Sequence, residues 1–385
     1  MPPSQPVLLT DGIRWHWTTP RAQSALRRRS LPEILQLYCE INDLTQQDLA
    51  DLLGYSRSYI SRIRTGSRTI TDTRSLLALA ERLGLPPHCL GVADEADGDH
   101  RLVIQLAESV LRLAEIARQS GQATTAVAEL WPLVARLEAR VADGHTDLDV
   151  LRLLARARTS LGVALGHVLP EERLAAAARW TGKGLAVARR LDDPALHAHA
   201  LRHHGNELRK SGLHTRALDR LHQARDLAPT PAARAEAVVL LARAAGTAGR
   251  TAAFDDAVEE GQRLLDETAP TPLFSAFTLH EVRLRGLLGT SRVHVAADLL
   301  DHAPNPGLNA STQWRIISAI TAGQVLLRRG DRAGAREQFH AAVDGAAAHR
   351  LPHQLQRILR ASTALPDVRD SADASLRELR AAIAA

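Results

Sequence analysis

The fold of the N-terminal region is decided by residues 44–66, which read LTQQDLADLLGYSRSYISRIRTG. The spacing of Thr45 and Asp48 predicts a capping box, which starts a helix by pairing two otherwise unbonded backbone N–H groups. Gly54 can take the positive φ that ends a helix, and Ser56 can cap a second one shortly after it. Two short helices joined by a glycine-containing turn are typical of a helix-turn-helix unit.

The flanking residues predict the remaining helices of a small bundle. Thr19 and Pro20 can start a first helix, since proline suits the first helical position, and a second apolar pattern spans 34–41. The buried face of the helix after Ser56 should consist of Ile60 and Ile63. A further amphipathic helix is predicted over 72–83, with an apolar face made of Leu76, Leu77, Ala80 and Leu83.

The order of these motifs closely resembles the lambda-repressor-like (Cro/XRE-type) helix-turn-helix family over roughly residues 31–91. The resemblance is carried by Leu44-Thr45-Gln46-Gln47-Asp48-Leu49-Ala50, Leu53-Gly54-Tyr55-Ser56, Ile60-Ser61-Arg62-Ile63 and Leu83-Gly84-Leu85-Pro86. The upstream Trp15-x-Trp17 and Pro20 look like the N-terminal extension of actinobacterial members. We therefore expect an extension at 1–30, a DNA-binding domain at 31–92 and an acidic segment at 93–99 that serves as a linker or starts a helix.

The resemblance implies that the helix after Ser56 reads DNA. Residues 55–71 contain four arginines and no acid, and a basic helix face suits the phosphates and guanines of a duplex. The alternative is a solvated basic face in an arginine-rich chain. The family pattern implies base contacts from Arg57, Ser58 and Arg62, phosphate contacts from Gln46, Ser56 and Arg68, and Ser61 on the same polar face.

One departure from the family concerns Arg64. Relatives usually carry Glu at this position, paired with an Arg where this chain has Cys39. That internal salt bridge cannot form here. Two outcomes are open: Glu40 pairs with Arg64, or Arg64 faces a phosphate.

The region 100–385 predicts about twelve to fourteen amphipathic helices separated by Gly or Pro. A repeat is visible in its small and apolar positions, and the pattern resembles tetratricopeptide repeats of about 34 residues. Gly205, Leu208, Gly212, Ala217, Leu221 and Ala224 recur with the same spacings as Gly323, Leu326, Gly330, Ala335, Phe339 and Ala342, with fainter copies at Gly121-Ala126-Leu130 and Gly249-Phe254-Val258.

Tetratricopeptide-like stacks present a concave groove lined by the first helix of each hairpin. Amides can hold a peptide backbone there, and basic side chains can hold a carboxylate. The groove could thus receive a peptide or a small molecule, although the same positions also suit a superhelix that serves dimerisation. By resemblance, the groove residues are Arg202, Asn206, Arg209, Lys210, Gln324 and Arg328.

Composition excludes several other classes of protein. The 385 residues are 45% hydrophobic and 24% charged, with a net charge of +5, a balance typical of folded globular chains. No apolar run reaches the roughly 18 residues of a membrane helix, and residues 1–6 lack the order of a signal peptide, so we expect a cytoplasmic protein. Cys39 and Cys89 are too few for a disulfide framework.

No catalytic, cofactor or metal constellation emerges from the motifs, and we therefore expect neither an enzyme nor a bound cofactor. The crowded His197, His199, His203 and His204 lack an accompanying carboxylate pair, so no metal site is expected. The sequence favours an all-α, sequence-specific DNA-binding transcriptional regulator whose partners are double-stranded DNA, a second copy of the chain and a groove ligand. The alternative is a protein-interaction scaffold whose helix-turn-helix no longer binds DNA.

Overall fold

The computed structural model describes residues 15–92, 95–304 and 312–384. All regular structure in these ranges is helical, with no strand, which confirms the all-α expectation. The described residues form two compact units, one within Met1–Ser109 and Pro132–Leu154 and the other within Val110–Trp131 and Ala155–Ala385. Residues 1–6, on which the expectation of no signal peptide rests, lie outside the described residues.

The first unit contains five short helices, and the turn between the third and the fourth has the predicted caps. The Thr45–Asp48 capping box is formed in both directions, Gly54 has a φ of 67° and Ser56 caps the next helix. These contacts confirm the predicted helix-turn-helix. The five helices are α1 (Pro20–Arg28), α2 (Leu31–Asn42), α3 (Gln46–Leu53), α4 (Arg57–Arg64) and α5 (Thr73–Leu83).

The core of this unit confirms the predicted face of α4 and corrects that of α5. Ile60 and Ile63 are fully buried, as expected. Leu77, expected on the buried face of α5, is instead 43% exposed, and Leu79 is buried in its place. The buried stripe of α5 thus follows Leu79 and its neighbours Ala80 and Leu83, which lie on one side of a 3.6-residue helix.

The segment before α2 is part of the same core. The Trp17 side chain is completely buried, stacks on Tyr38 with ring centroids 5.8 Å apart, and donates its indole N–H to the Leu83 carbonyl at 3.3 Å. Ala22 and Ala25 of α1 are buried beside it. Residues 17–28 therefore complete the bundle as a structural element.

Three long helices continue the chain. Of the residues expected as a linker or helix start, 93 and 94 lie outside the described residues, and 95–99 form the first turns of α6. Gln23 of the first unit donates its amide to the Thr146 carbonyl in the loop after α7 at 3.2 Å. The helices are α6 (Glu95–Gln119), α7 (Ala123–Ala142) and α8 (Leu148–Val168).

The second unit is a succession of antiparallel helical hairpins. Its helices after α8 are α9 (Leu174–Ala188), α10 (Pro194–Lys210), α11 (His214–Asp226), α12 (Pro231–Thr247), α13 (Thr251–Glu267), α14 (Ala276–Gly289), α15 (Val293–Leu300), α16 (Thr312–Arg329), α17 (Arg332–Ala348), α18 (Pro352–Ala361) and α19 (Pro366–Ala384).

Two of these hairpins, α10–α11 and α16–α17, have the same construction. Gly205 lies against the Leu221 side chain and Gly323 against the Phe339 ring, so that a Cβ at either glycine would crowd the partner helix. The repeated small and apolar positions of the sequence are therefore the contact seams of these hairpins.

The even-numbered helices α10, α12, α14, α16 and α18 form one row, each in contact with the next. The last helix of that row bonds to the 3₁₀ turn at Glu171–Arg173. Gln356 accepts from the Glu171 backbone N–H at 2.8 Å and donates to the Glu172 carboxylate at 2.9 Å, and Arg360 donates to the Glu171 carboxylate at 2.7 Å. These hydrogen bonds connect α18 to the 3₁₀ turn, which lies about 185 positions earlier in the sequence.

Candidate functional site

The start of α4 presents a small set of polar side chains. Ser56 has an extended backbone and its hydroxyl accepts the Tyr59 N–H at 3.3 Å, which satisfies one of the free donors of the first turn. The Ser58 hydroxyl lies 3.2 Å from that of Ser56. The cap places Arg57 and Ser58 at the first two positions of the helix, where both side chains are exposed.

The two sides of α4 differ sharply in burial. Ile60 and Ile63 face the core and have no more than 1% of their surface exposed. Arg57 and Arg62 are exposed, and Ser61 is partly exposed. A short helix with one apolar and one basic face can therefore enter a groove without any loss of its packing.

Arg68 is held beside α4 by the turn that follows it. The guanidinium lies 4.7 Å from the centre of the Tyr59 ring, which in turn stacks on Tyr55 at 4.9 Å. The Arg62 carbonyl accepts the Arg68 N–H at 3.0 Å and the Ser67 hydroxyl at 3.0 Å. These contacts fix an exposed cation next to the end of the basic face.

The seven residues expected to contact DNA thus belong to α3, α4, the Ser56 cap or the turn after α4. Gln46 is the first residue of α3 and is partly exposed. It follows the capping box, in which hydrogen bonds from the Thr45 hydroxyl and N–H lower the pKa of the Asp48 carboxyl. The DNA contacts expected of these seven residues remain predictions.

The structure excludes one of the two outcomes expected for Arg64. Glu40 does not pair with it, because the Glu40 carboxylate binds Arg21 at 2.7 Å and Gln36 at 2.8 Å. Arg64 is partly buried near Cys39, whose thiol pKa is raised by burial. The pairing of Arg64 with a phosphate stays a prediction.

A second candidate site lies inside the hairpin unit. A cavity of about 1080 Å³ is lined by the even-numbered helices α8 to α18 and by α6. All six residues expected in the groove line it: Arg202, Asn206, Arg209, Lys210, Gln324 and Arg328. The structure thus brings all six predicted groove residues together around one cavity.

Seven further arginines line the same cavity and were not anticipated from the sequence, and three of them lie on the row of even-numbered helices close to Arg209. Arg243 lies on α12, Arg285 on α14 and Arg357 on α18. Arg209 and Arg243 are 34 positions apart, one repeat length, and that spacing is the signal that could have revealed Arg243. The next intervals are longer, so no fixed period points to the other two.

Part of the charge in the cavity is paired. Arg202 forms an ion pair with Glu236, and Lys210 binds the fully buried Glu207 at 2.8 Å. Burial lowers the pKa of the Lys210 ammonium to about 8, although Glu207 opposes this shift. Arg209 donates to the neutral Asn206 side-chain oxygen at 3.0 Å.

The four crowded histidines do not converge on one point. His199 and His203 are in edge contact at 4.4 Å and both approach the Arg202 guanidinium, while His204 contacts the Thr181 hydroxyl. Within the described part of the chain, a different group brings possible ligand atoms within 4.8 Å of one another. It consists of His88, His145 and Asp147 in the first unit.

Acid is expected to destabilise the hairpin unit through buried His353. Its Nδ1–H donates to the His167 carbonyl at 3.2 Å and its Nε2 accepts from the Gln354 amide at 2.9 Å, so the neutral ring satisfies both contacts. Burial first, and then the positive charge of Lys210, lower the pKa of His353 to about 3. Arg243 and Arg357 act in the same direction.

The pKa of His353 in the folded chain lies below the unfolded value of about 6.5. As the pH falls from 7 to 5, only the unfolded chain therefore gains a proton at this residue. We expect this group to remove about 2 kcal/mol of stability between pH 7 and pH 5. Denaturant unfolding at both pH values measures the loss. His353→Gln should reduce it, whereas exposed His302→Gln should not, and an unchanged loss in His353→Gln would contradict the assignment.

Comparison with known proteins supports the assignment of the N-terminal region. Residues 35–88 match a helix-turn-helix family model, which confirms the Cro/XRE-type unit expected there. No curated protein matches the chain. Among the described residues, no helix has both the length and the apolar character needed to cross a bilayer.

Several solved structures are similar over most of their length. Bacillus thuringiensis PlcR, in complex with the peptide PapR7 and DNA, is 11% identical, with 83% of this chain and 94% of that chain covered and a TM-score of 0.33. A Rap protein complexed with competence and sporulation factor is 15% identical, with coverages of 92% and 86% and a TM-score of 0.42. Yeast Tom70 is 12% identical, with coverages of 93% and 90% and a TM-score of 0.29.

Proposed function

We propose that the chain is a cytoplasmic, sequence-specific DNA-binding transcriptional regulator whose hairpin unit senses a ligand or mediates dimerisation. The observation that carries the proposal is the exposed basic face of α4, opposite a face that is completely buried in the bundle. A recognition helix must be held rigidly by its scaffold while its polar side chains stay free for the groove.

The first turn of α4 would then lie in the major groove. Arg57 and Arg62 can each donate two hydrogen bonds to a guanine, which discriminates against other bases by about 1–3 kcal/mol per contact. Ser58 and Ser61 lie on the same side and can bond to neighbouring base edges. Arg68, held by Tyr59, would contact a phosphate together with Gln46 and Ser56.

Regulation would be geometric. We propose a homodimer, because two recognition helices about 34 Å apart meet successive major grooves on one side of the duplex. A ligand that changes the conformation of the hairpin unit would alter that spacing and so change DNA affinity without any contact to the reading helices.

A second function, a scaffold that no longer binds DNA, is favoured by a single feature. Arg64 has no carboxylate partner among the described residues, whereas the family pattern supplies one. In this alternative, the hairpin unit would hold a protein partner by apolar contacts.

The dependence of binding on salt distinguishes the two functions. A dimeric regulator should lose roughly 10-fold or more in DNA affinity between 50 and 200 mM salt, because even the two Arg68 side chains alone displace condensed counterions from the phosphates. Fluorescence anisotropy with a labelled duplex measures this directly. The absence of DNA binding at 50 mM salt would favour the scaffold.

Arg57 and Arg68 are expected to contribute in different ways. Arg57→Ala should relax base preference at one position of each half-site and cost about 1–3 kcal/mol per half-site, whereas Arg68→Ala should weaken all sequences alike and reduce the salt slope by about one per protomer. Anisotropy with a panel of single-base variants separates the two. Equal, sequence-independent losses from both substitutions would contradict the proposed division of roles.

A further inference from the structure

The cavity of the hairpin unit carries a large excess of positive charge. Eleven basic side chains and three acidic ones line it. Four arginines are central to this excess, and each comes from a different helix of the row: Arg209, Arg243, Arg285 and Arg357 on α10, α12, α14 and α18. We refer to these four as the arginine cluster. Like charges repel, so bringing these four groups together costs stability.

Hydrogen-bond donors of the cluster lack acceptors. Over the described residues, the buried Nε of Arg243 and the buried Nε and Nη2 of Arg285 make no hydrogen bond. Glu281, one turn before Arg285, does not supply them, because one of its carboxylate oxygens binds Ser318 at 2.8 Å and the other is unbonded. Buried donors without acceptors are costly, so this arrangement needs a compensating role.

The acceptors that the other two arginines do have are neutral. Arg209 donates to Asn206 at 3.0 Å, and Arg357 reaches Thr321 and Gln324 only at 3.4 Å. Neutral acceptors leave the charge of a guanidinium uncompensated.

Two nearby carboxylates, Glu207 and Glu281, oppose the lowering of the pKa of the cluster arginines, and Glu207 is already paired with Lys210. Four guanidinium groups therefore still outnumber the carboxylates that face them.

The cluster is also compact. The Arg243 and Arg285 guanidinium carbons lie 5.7 and 5.9 Å from the centre of the same ring, that of Trp314. Burial lowers the pKa of both arginines well below the usual value, and the positive charges of the other cluster members add to this shift. A guanidinium nevertheless stays protonated in proteins, so the repulsion persists.

The side-chain oxygens of both groove amides already accept hydrogen bonds from arginines. The Asn206 oxygen accepts from Arg209, its amide group donates to Glu207, and the Gln324 oxygen accepts from Arg357. Recognition of a peptide backbone by paired amide bonds would have to break these contacts. The available interaction is therefore one of charge, from several basic side chains that line one cavity.

We propose that the cavity binds a small molecule that carries at least two linked phosphate groups, held by the arginine cluster. Linked phosphates offer several oxygens and more than one negative charge in a small volume, which matches guanidinium groups from four helices better than a single carboxylate does. The cavity of about 1080 Å³ also admits an organic group attached to those phosphates. This inference rests on the ligand-sensing part of the proposed function and names the class of its ligand.

Isothermal titration calorimetry of the full chain with inorganic pyrophosphate, without DNA, tests the proposal. We expect one site. Arg243→Gln and Arg285→Gln should each weaken it about 10-fold or more, the effect of one lost charge-assisted contact. Arg283→Gln is the matched control, because it removes the same charge from an exposed position of the same helix, and it should change affinity less than about twofold.

Further measurements separate a lost site from a lost fold. Without ligand, Arg243→Gln and Arg285→Gln should melt at or above the wild-type Tm, because each relieves repulsion in the cluster. Arg62→Ala should keep pyrophosphate binding, which excludes a site on α4. Titrations with citrate and with an acidic peptide identify the class of anion.

The proposal is overturned by any of three results: no pyrophosphate binding at millimolar concentration, equal losses in Arg283→Gln and Arg285→Gln, or tighter binding of citrate or the acidic peptide. DNA binding is measured separately. If the protein binds pyrophosphate but not DNA, the proposal of a DNA-binding regulator is wrong and the proposed ligand class stands. If the protein binds DNA but not pyrophosphate, only the proposed ligand class is wrong.

Discussion

The double variant Arg57→Glu/Arg62→Glu is expected to lose roughly 100-fold or more of its affinity for DNA. Two base contacts worth about 1–3 kcal/mol each disappear, and two carboxylates are placed against a polyanion. The effect should be larger than that of either alanine substitution, because repulsion is added to the lost contacts.

This variant should remain folded. Both side chains are exposed on α4, and the apolar face of that helix, Ile60 and Ile63, is unchanged. The matched control is Arg136→Glu, which reverses an exposed charge on α7 outside the helix-turn-helix. Anisotropy should show a near wild-type affinity for the control. A comparable loss in both proteins would mean that general charge, not the face of α4, binds DNA.

The second large effect is expected in stability. Trp17→Ala should lower the free energy of unfolding of the first unit by about 3–5 kcal/mol, the usual cost of removing a large buried aromatic side chain. The indole is fully buried, stacks on Tyr38 and donates to the Leu83 carbonyl, so its loss leaves a cavity and an unbonded acceptor.

Trp17→Phe provides the graded control. It keeps an aromatic ring against Tyr38 and removes the indole donor, so it should cost about 1 kcal/mol. Denaturant unfolding followed by circular dichroism measures both variants. A loss below about 1 kcal/mol in Trp17→Ala would show that the segment before α2 does not belong to the core.

The helix-turn-helix could be predicted because its signals are local. Thr45, Asp48, Gly54 and Ser56 act through backbone groups four or fewer residues away, and the structure places each in its expected role. The burial of Trp17 could not be predicted, because it depends on Tyr38 and α5, far along the chain. The error at Leu77 has a similar cause. Leu77 and Leu79 lie on different sides of α5, and contacts with distant parts of the chain decide which of the two is buried.

The candidate sites show the same limit. The basic face of α4 follows from a motif of consecutive residues, and the groove residues follow from the hairpin repeat. The arginine cluster depends on the intervals between Arg209, Arg243, Arg285 and Arg357, which vary because the turns and helices differ in length. Neither the mutual proximity of these side chains nor their shortage of acceptors is encoded in any local pattern.

Selection from random-sequence DNA with the purified full chain tests most directly whether the start of α4 reads bases. We predict an enriched motif for the wild-type protein, and loss of preference at one position of each half-site when Arg57 is replaced by alanine. The contradicting result is a pool that shows no enrichment at low or moderate salt, or a motif that Arg57→Ala leaves unchanged.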